Sequence, residues 1–212
     1  MAGYAADIGI MGGTFDPVHL GHIACASCAA GALSLRRVLF IPTGNPNFKQ
    51  DACVSPAHVR VEMLRLALAE AGDARFALDL REVERGGVTY AVDTLEELAA
   101  GRVGRGGRRS YFIMGADAAA TLPHWKDAAR IAELCRVAAV SRPGCDFAAL
   151  RAALGSCMPP FTIEYVEADM PDVSSTQVRA RVAAGLPVQD LVGASVAAYI
   201  EEHGLYEDGT RG

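Results

Sequence analysis

Six apolar runs of strand length, each followed by a helix-patterned segment, constrain this 212-residue chain more than any single residue does. The runs are Ile8 to Met11, Val38 to Ile41, Phe76 to Leu80, Tyr111 to Met114, Val137 to Val140 and Phe161 to Val166. Helical patterns lie between them at about 20 to 33, 56 to 71, 91 to 100, 125 to 135 and 147 to 154. Near-continuous apolar runs suit strands buried on both faces, and reaching a parallel neighbour takes a crossover of helix length. The expectation is an α/β fold: a Rossmann-like, doubly wound, mostly parallel sheet with helices on both faces. From Ser174 the pattern is wholly helical, with segments Thr176 to Ala184 and Ala194 to His203 parted by Gly185-Leu186-Pro187. One domain is expected over 1–212, with an α/β core at about 7–172 and a C-terminal helical part at about 174–206. The basic, glycine-rich run Gly101 to Arg109 reads as a flexible surface connection.

Composition limits the classes of function. The chain is 51% apolar and 21% charged, enough to bury one good core. A formal net charge of −5 argues against a broad footprint on nucleic acid, although a small phosphate ligand needs only a local basic cluster. No basic n-region with a following apolar h-region opens the sequence, and no apolar stretch reaches the roughly 18 residues of a membrane helix. A cytoplasmic protein with no membrane partner is expected. Cys25, Cys28, Cys53, Cys135, Cys145 and Cys157 are even in number, but set in apolar or Ala-rich stretches they read as reduced core residues.

The richest chemistry lies between the first run and the first helix, in Gly12-Gly13-Thr14-Phe15-Asp16-Pro17-Val18-His19-Leu20-Gly21-His22. A strand, a turn with two glycines and a helix start together make an anion site. The glycines admit close backbone approach, and the helix N-terminus adds unpaired N–H groups and a positive dipole. His19 and His22, three apart, share one side of the first turn and aim at a phosphate. With Cys25 and Cys28 they superficially resemble a zinc set, yet steps of three walk about 60° backwards around a helix each time, so four such side chains do not meet one tetrahedral ion. No protein metal site is expected there.

In open parallel sheets ligands collect beyond the carboxyl ends of the strands. After the second run comes Pro42-Thr43-Gly44-Asn45-Pro46-Asn47-Phe48-Lys49, after the fourth Gly115-Ala116-Asp117, and after the fifth Ser141-Arg142-Pro143-Gly144. Three of the four loops thus deliver a histidine, lysine or arginine. Near the end, Ser174 and Gln177 fit an S-x-x-Q capping box, which opens a helix that also carries Arg179.

GGTFDPVHLGH, IPTGNPNFK, TYAVDTL, FIMGAD followed by LPHW, SRPG and SSTQVR resemble, in order from about Ile8 to Tyr206, the successive motifs of bacterial nicotinate mononucleotide adenylyltransferases. These belong to the nucleotidyltransferase superfamily with the H-x-G-H signature. The resemblance implies adenylyl transfer: the phosphate of a pyridine mononucleotide attacks the α-phosphorus of ATP, giving a dinucleotide and pyrophosphate. Such chemistry asks for alignment and for neutralisation of charge on phosphoryl oxygens, so cationic groups should dominate the site.

The resemblance also implies roles. His19, His22, Lys49 and Arg179 are the expected catalytic groups. Gly12, Gly13, Thr14, Phe15, Gly115, Asp117, Ser174 and Ser175 join the histidines and Arg179 in binding ATP, with Ser174, Ser175 and Arg179 on the β- and γ-phosphates and Asp117 on the ribose. Asp16, Lys49, Thr89, Tyr90, Ala91, Trp125 and Arg142 are expected around the pyridine nucleotide. Magnesium would be bound mainly through the ATP phosphates. Simpler roles stand beside several of these: Asp16 starting a turn, Lys49 or Arg142 as surface charges, Asp117 or Ser174 as caps, and Trp125 as a core residue at a helix start. Where the family pattern reads Ser-Tyr-Thr, this chain has Thr89-Tyr90-Ala91, so the hydroxyl at 91 is missing.

The expected partners are therefore ATP and nicotinate mononucleotide, with homo-oligomerisation left open. Nicotinamide mononucleotide and pantetheine phosphate are the rival acceptors, the latter disfavoured by TYAVDTL and LPHW. A regulatory protein that senses ATP or NAD without turnover is the alternative of another class. A hydride-transferring dehydrogenase is disfavoured because the first loop lacks G-x-G-x-x-G in the required position.

Overall fold

The computed structural model describes residues 7–46, 54–101, 110–141 and 147–207. Six strands form one sheet: β1 (Ile8–Gly13), β2 (Arg37–Pro42), β4 (Phe76–Leu78), β6 (Ser110–Gly115), β7 (Arg136–Ser141) and β8 (Ile163–Glu167), in the order β4-β2-β1-β6-β7-β8. β1 pairs with β6, β6 with β7 and β7 with β8, all parallel. The strand interiors of β1, β2, β6 and β7 are buried without alternation, as central strands require, whereas the edge strands β4 and β8 are mostly half-buried. Strand order reverses between β1 and β6. Right-handed crossovers then put the helix leaving β1 and those following β6 and β7 on opposite faces, the doubly wound Rossmann-like arrangement.

The helices between these strands are α1 (Leu20–Ala32), α2 (Ala57–Ala71), α4 (Ala91–Ala100), α6 (Ala128–Leu134) and α7 (Phe147–Gly155), close to the expected spans. After β8 follow α8 (Ser175–Ala183), α9 (Gln189–Val192) and α10 (Ala194–Glu202). Shorter pieces escaped the periodicity. They are α3 (Arg81–Arg85), α5 (Ala116–Ala119), a 3₁₀ turn at Leu122–His124, and a second sheet in which β3 (Asn45–Pro46) pairs in parallel with β5 (Val88–Thr89). The third apolar run stops at Leu78 rather than Leu80, because Asp79 turns back to bind the backbone N–H and guanidinium of Arg81 at the start of α3.

The chain forms two compact units. One comprises Met1–Gly12, Cys25–Phe40 and Tyr90–Met170, the other Gly13–Ala24, Ile41–Thr89 and Pro171–Gly212. In the first, α4 packs on α6, and the buried residues of β6 and β7 join those of β1, β2 and the helices in the core. In the second, α2 packs on α10. Among the described residues, no helix is long and apolar enough to cross a membrane.

The second unit is organised by a charge inside it. Arg60, on the buried face of α2 between Val59 and Val61, is only 1% exposed. Its guanidinium donates Nε to Ser55 O at 2.9 Å, Nη1 to Thr14 O at 2.8 Å and Nη2 to Gly44 O at 3.0 Å. Three loops are thereby tied to one planar cation, which holds its charge even though burial lowers its pKa. The C-terminus joins the same cluster. Gly204, at φ +57°, closes α10 with Leu205 N–H on Ile200 O and turns Leu205 and Tyr206 inward. Tyr206 then donates its hydroxyl to Asp16 Oδ1 at 2.7 Å and accepts from Ser55 Oγ at 3.2 Å.

Arg60→Met keeps the volume and apolar stem but strands three carbonyls, so we expect it to cost about 3–5 kcal/mol in urea denaturation. Loss of under about 1 kcal/mol would show that solvent or another donor replaces the guanidinium.

Candidate active site

The loop after β1 is built differently from its expected form. Gly12 and Gly13 finish the strand and neither takes a positive φ; the left-handed residue is Phe15, at φ 51°. The expectation that the glycine pair makes the turn is therefore corrected, since the turn falls where Phe15 is anchored by near-complete burial. What glycine supplies at 13 is room, because a Cβ there would lie 3.1 Å from the Phe15 ring, while at 12 it would meet Phe112 at an ordinary 3.5 Å. The carbonyl of Thr14 is held by Arg60.

His19 precedes α1 as its N-cap residue and His22 is the third residue of the helix. The His19 backbone N–H donates to His22 Nδ1 at 3.2 Å, so His22 fills the place that Glu or Gln takes in a capping box. That bond leaves the proton of neutral His22 on Nε2. The two imidazoles stack with centroids 3.7 Å apart and planes 28° from parallel, and Phe15 meets His22 edge-on at 5.0 Å. Gly21 makes the stack fit: a Cβ there would stand 3.0 Å from His19 Nδ1 and 3.1 Å from its Cε1. Sequence reasoning passed over this glycine, though its place inside H-x-G-H was the signal. Burial lowers the His19 pKa to about 4 and lowers that of His22 well below 6.5, with the neighbouring His19 adding to the effect. Both rings are neutral near pH 7.

The residues at the start of α8 meet the same loop. Ser174 caps the helix by accepting from Gln177 N–H at 3.1 Å, as its sequence spacing expects. Ser175 gives its hydroxyl proton to Pro17 O at 2.9 Å, and Arg179 Nη1 donates to Asp16 O at 2.6 Å. The first intrahelical bond is Val178 N–H to Ser174 O, so the N–H groups of Ser175 and Thr176 precede the hydrogen-bonded ladder. Asp16 is 3% exposed, and its two carboxylate oxygens accept from Tyr206 and from Ser55 N–H. It is a fastening of this unit. Arg60 and Tyr206 are the parts of the fastening that sequence reasoning missed.

In the first unit, Gly115 ends β6 with open space where a side chain would point, and exposed Asp117 follows in the first turn of α5. The N-cap of α5 is Gly115, and Asp117 is the second residue of the helix. Tyr90 is the N-cap of α4 and Ala91 its first residue. Lys126 Nζ lies 4.1 Å from the Tyr90 ring centroid and 3.6 Å from Asp93 Oδ1. Trp125 does not start a helix as expected. It closes the 3₁₀ turn Leu122–His124, because Pro123 favours a helical first turn and extended backbone at Trp125 then breaks it before α6. The indole is half-buried, edge-on to Phe112 at 5.8 Å. Thr89, in β5 of the second unit, buries its hydroxyl without a partner.

Among the described residues, three buried side-chain polar atoms lack a hydrogen-bond partner: His19 Nδ1, Thr89 Oγ1 and Tyr165 OH. Two belong to residues singled out from the sequence. Lys49 and Arg142 lie outside the described residues. No group of three or more His, Cys, Asp or Glu among the described residues is arranged to hold a metal ion. Cys25, Cys28, Cys135 and Cys157 are free thiols, and burial pushes Cys25 and Cys135 up to about 12, which keeps them protonated and inert.

A doubly wound sheet whose first strand delivers a His-x-Gly-His capped helix start is the framework of a nucleotidyltransferase. Comparison with known proteins agrees. The cytidylyltransferase-like family model matches residues 10–181. A protein of Roseiflexus sp. named "Probable nicotinate-nucleotide adenylyltransferase" is 42% identical over 204 residues, covering 95% of this chain and 98% of its own length. One of the same name from Acidothermus cellulolyticus is 36% identical over the full length of both. The solved nicotinic acid mononucleotide adenylyltransferase of Plasmodium falciparum, complexed with NaAD, superposes with a TM-score of 0.77 at 16% identity, covering 96% of this chain and 98% of that one. That last likeness speaks for the fold. This chain belongs to the cytidylyltransferase-like family and, within it, to the nicotinate-nucleotide adenylyltransferases.

The lowered His19 pKa has a measurable consequence. Unfolding returns the ring to about 6.5, so the unfolded chain binds the extra proton between about pH 4 and 6.5, and stability falls as pH drops through that window. His19→Gln should remove about 2–4 kcal/mol of that acid-side loss, read as the difference between the two proteins' stability-versus-pH curves. Parallel curves would mean that the ring is solvated in the folded protein.

Proposed function

We propose that this protein transfers the adenylyl group of ATP to nicotinate mononucleotide, making deamido-NAD and pyrophosphate in NAD biosynthesis. The observation that carries most weight is the stacked, neutral His19–His22 pair at the start of α1, with an unpartnered His19 nitrogen beside it. A phosphate oxygen of the mononucleotide attacks the α-phosphorus of ATP. The bond from that phosphorus to the α,β-bridging oxygen breaks, and pyrophosphate leaves with the electron pair. The attacking phosphate is already anionic, so no activated serine, cysteine or general base is needed.

In this reading the imidazoles donate to phosphate oxygens. Arriving negative charge raises their pKa values and lets them go cationic as charge builds on the leaving group. Lys49 and Arg179 add positive charge, and Gly12, Gly13, Thr14, Phe15, Ser174 and Ser175 surround the phosphates. Ser175 already gives its hydroxyl proton to Pro17, so its contribution is the backbone N–H at the helix start. Gly115 and Asp117 take the ribose. Thr89, Tyr90, Ala91, Trp125 and Arg142 take the pyridine nucleotide, with the buried Thr89 hydroxyl seeking a partner there. Asp16 shapes the loop from within, since its carboxylate is bound by Tyr206 and Ser55. Magnesium would be held mainly by the ATP phosphates and water, where it would supply charge neutralisation. Both substrates are soluble nucleotides, so we place the reaction in the cytosol.

Pyrophosphate release tests this, measured with MgATP and nicotinate mononucleotide, nicotinamide mononucleotide or pantetheine phosphate in parallel. The nicotinate acceptor should give the highest kcat/KM, and His22→Ala should lower kcat by about 10²–10³. Preference for the amide would trace to the hydroxyl missing at Ala91. No release with any acceptor would leave a nucleotide-binding regulatory protein.

A further inference from the structure

Trp125 is the only tryptophan of the chain, and its indole is held by a short hydrogen-bond relay. Indole Nε1–H donates to Thr121 Oγ1 at 2.9 Å, and the Thr121 hydroxyl donates in turn to Ala118 O at 2.7 Å. An indole offers one donor and no acceptor, so a hydroxyl that accepts from it and passes its own proton to a backbone carbonyl fixes both the ring and itself. The relay spans one turn and joins the end of α5 to the residue that closes the 3₁₀ segment. Among the described residues the indole also meets Phe112 edge-on, with planes 79° apart, which restrains the ring without stacking on it. Thr121 is exposed and Trp125 half-buried, so among the described residues the relay is the hydrogen-bonded restraint on the ring's rotation about its Cβ–Cγ bond.

We propose that Thr121 is a positioning residue for the pyridine nucleotide: it locks the Trp125 indole at the angle at which the ring's face receives the pyridine. The proposal rests on the reading of Trp125 as the pyridine wall. A ring already fixed loses no rotational freedom when a flat ligand stacks on it, and that saved ordering cost appears as tighter binding of the mononucleotide. Thr121 touches neither ATP nor the reacting atoms in this scheme. Its removal should weaken one substrate and spare both the other and the chemical step.

Thr121→Val keeps the shape and removes both hydrogen bonds, while Thr121→Ser restores the hydroxyl. We expect Thr121→Val to raise KM for nicotinate mononucleotide by about three- to ten-fold, with kcat and KM for ATP within about two-fold of the parent. Thr121→Ser should recover most of the loss. Because Trp125 is the sole indole, its fluorescence reports the same event: acrylamide quenching should rise in Thr121→Val and return in Thr121→Ser. Trp125→Phe lacks the Nε1 donor, so adding Thr121→Val to it should change nothing further. An unchanged mononucleotide KM in Thr121→Val, or additive losses in the double variant, would overturn the positioning role. If Trp125→Ala also leaves that KM unchanged, the pyridine-wall reading falls as well; if Trp125→Ala raises it while Thr121→Val does not, only the role of Thr121 falls.

Discussion

A buried guanidinium holds the second of this protein's two compact units together. Arg60 answers three backbone carbonyls, those of Thr14, Gly44 and Ser55, that no strand or helix pairs. Burying so strong a charge is tolerable only when its donors are satisfied, and here the loops supply acceptors in the plane of the fork. Asp16 and Tyr206 extend the cluster, and Arg179 adds its bond to the Asp16 carbonyl. The loop after β1, the segment before α2, the start of α8 and the end of the chain are thus fixed to one another by polar contacts inside an apolar unit. The loop so fixed is the one that leads into the His19–His22 pair.

Neutral imidazoles suit the proposed role of a site that waits for a polyanion. A permanently charged pair 3.7 Å apart would repel itself and need solvent or a counter-ion in the resting protein. A neutral stacked pair costs little to keep and offers an N–H fixed by the His19 backbone bond to His22; in the proposed reaction it would gain charge when phosphates arrive. The same economy appears at Ser174, where a cap bond satisfies one N–H of α8 and leaves its neighbours aimed outward. Buried polar atoms without partners are uncommon in folded proteins, and His19 Nδ1 and Thr89 Oγ1 both belong to residues assigned to substrates.

Much of the architecture was legible in the chain. The six apolar runs became the six strands of the main sheet, and the five helical patterns between them became α1, α2, α4, α6 and α7, because burial on both faces and helical period leave strong local marks. The Ser174 cap was legible too, from the local spacing of Ser174 and Gln177. Trp125, in contrast, was misplaced by a turn of 3₁₀ helix too short to carry a period. The two-residue strands β3 and β5 were invisible on the same ground.

What the sequence determined by itself is whatever neighbours in the chain decide: strand and helix order, the His-x-Gly-His helix start and the family it marks. Tertiary structure alone decided that Arg60 would bind Thr14 across 46 residues and that Tyr206 would bind Asp16 across 190. Those contacts have no periodicity, because their partners meet only after the chain has closed its loops. A lone arginine on an apolar helix face was the one local hint, and its meaning depended on which carbonyls the fold would leave unpaired.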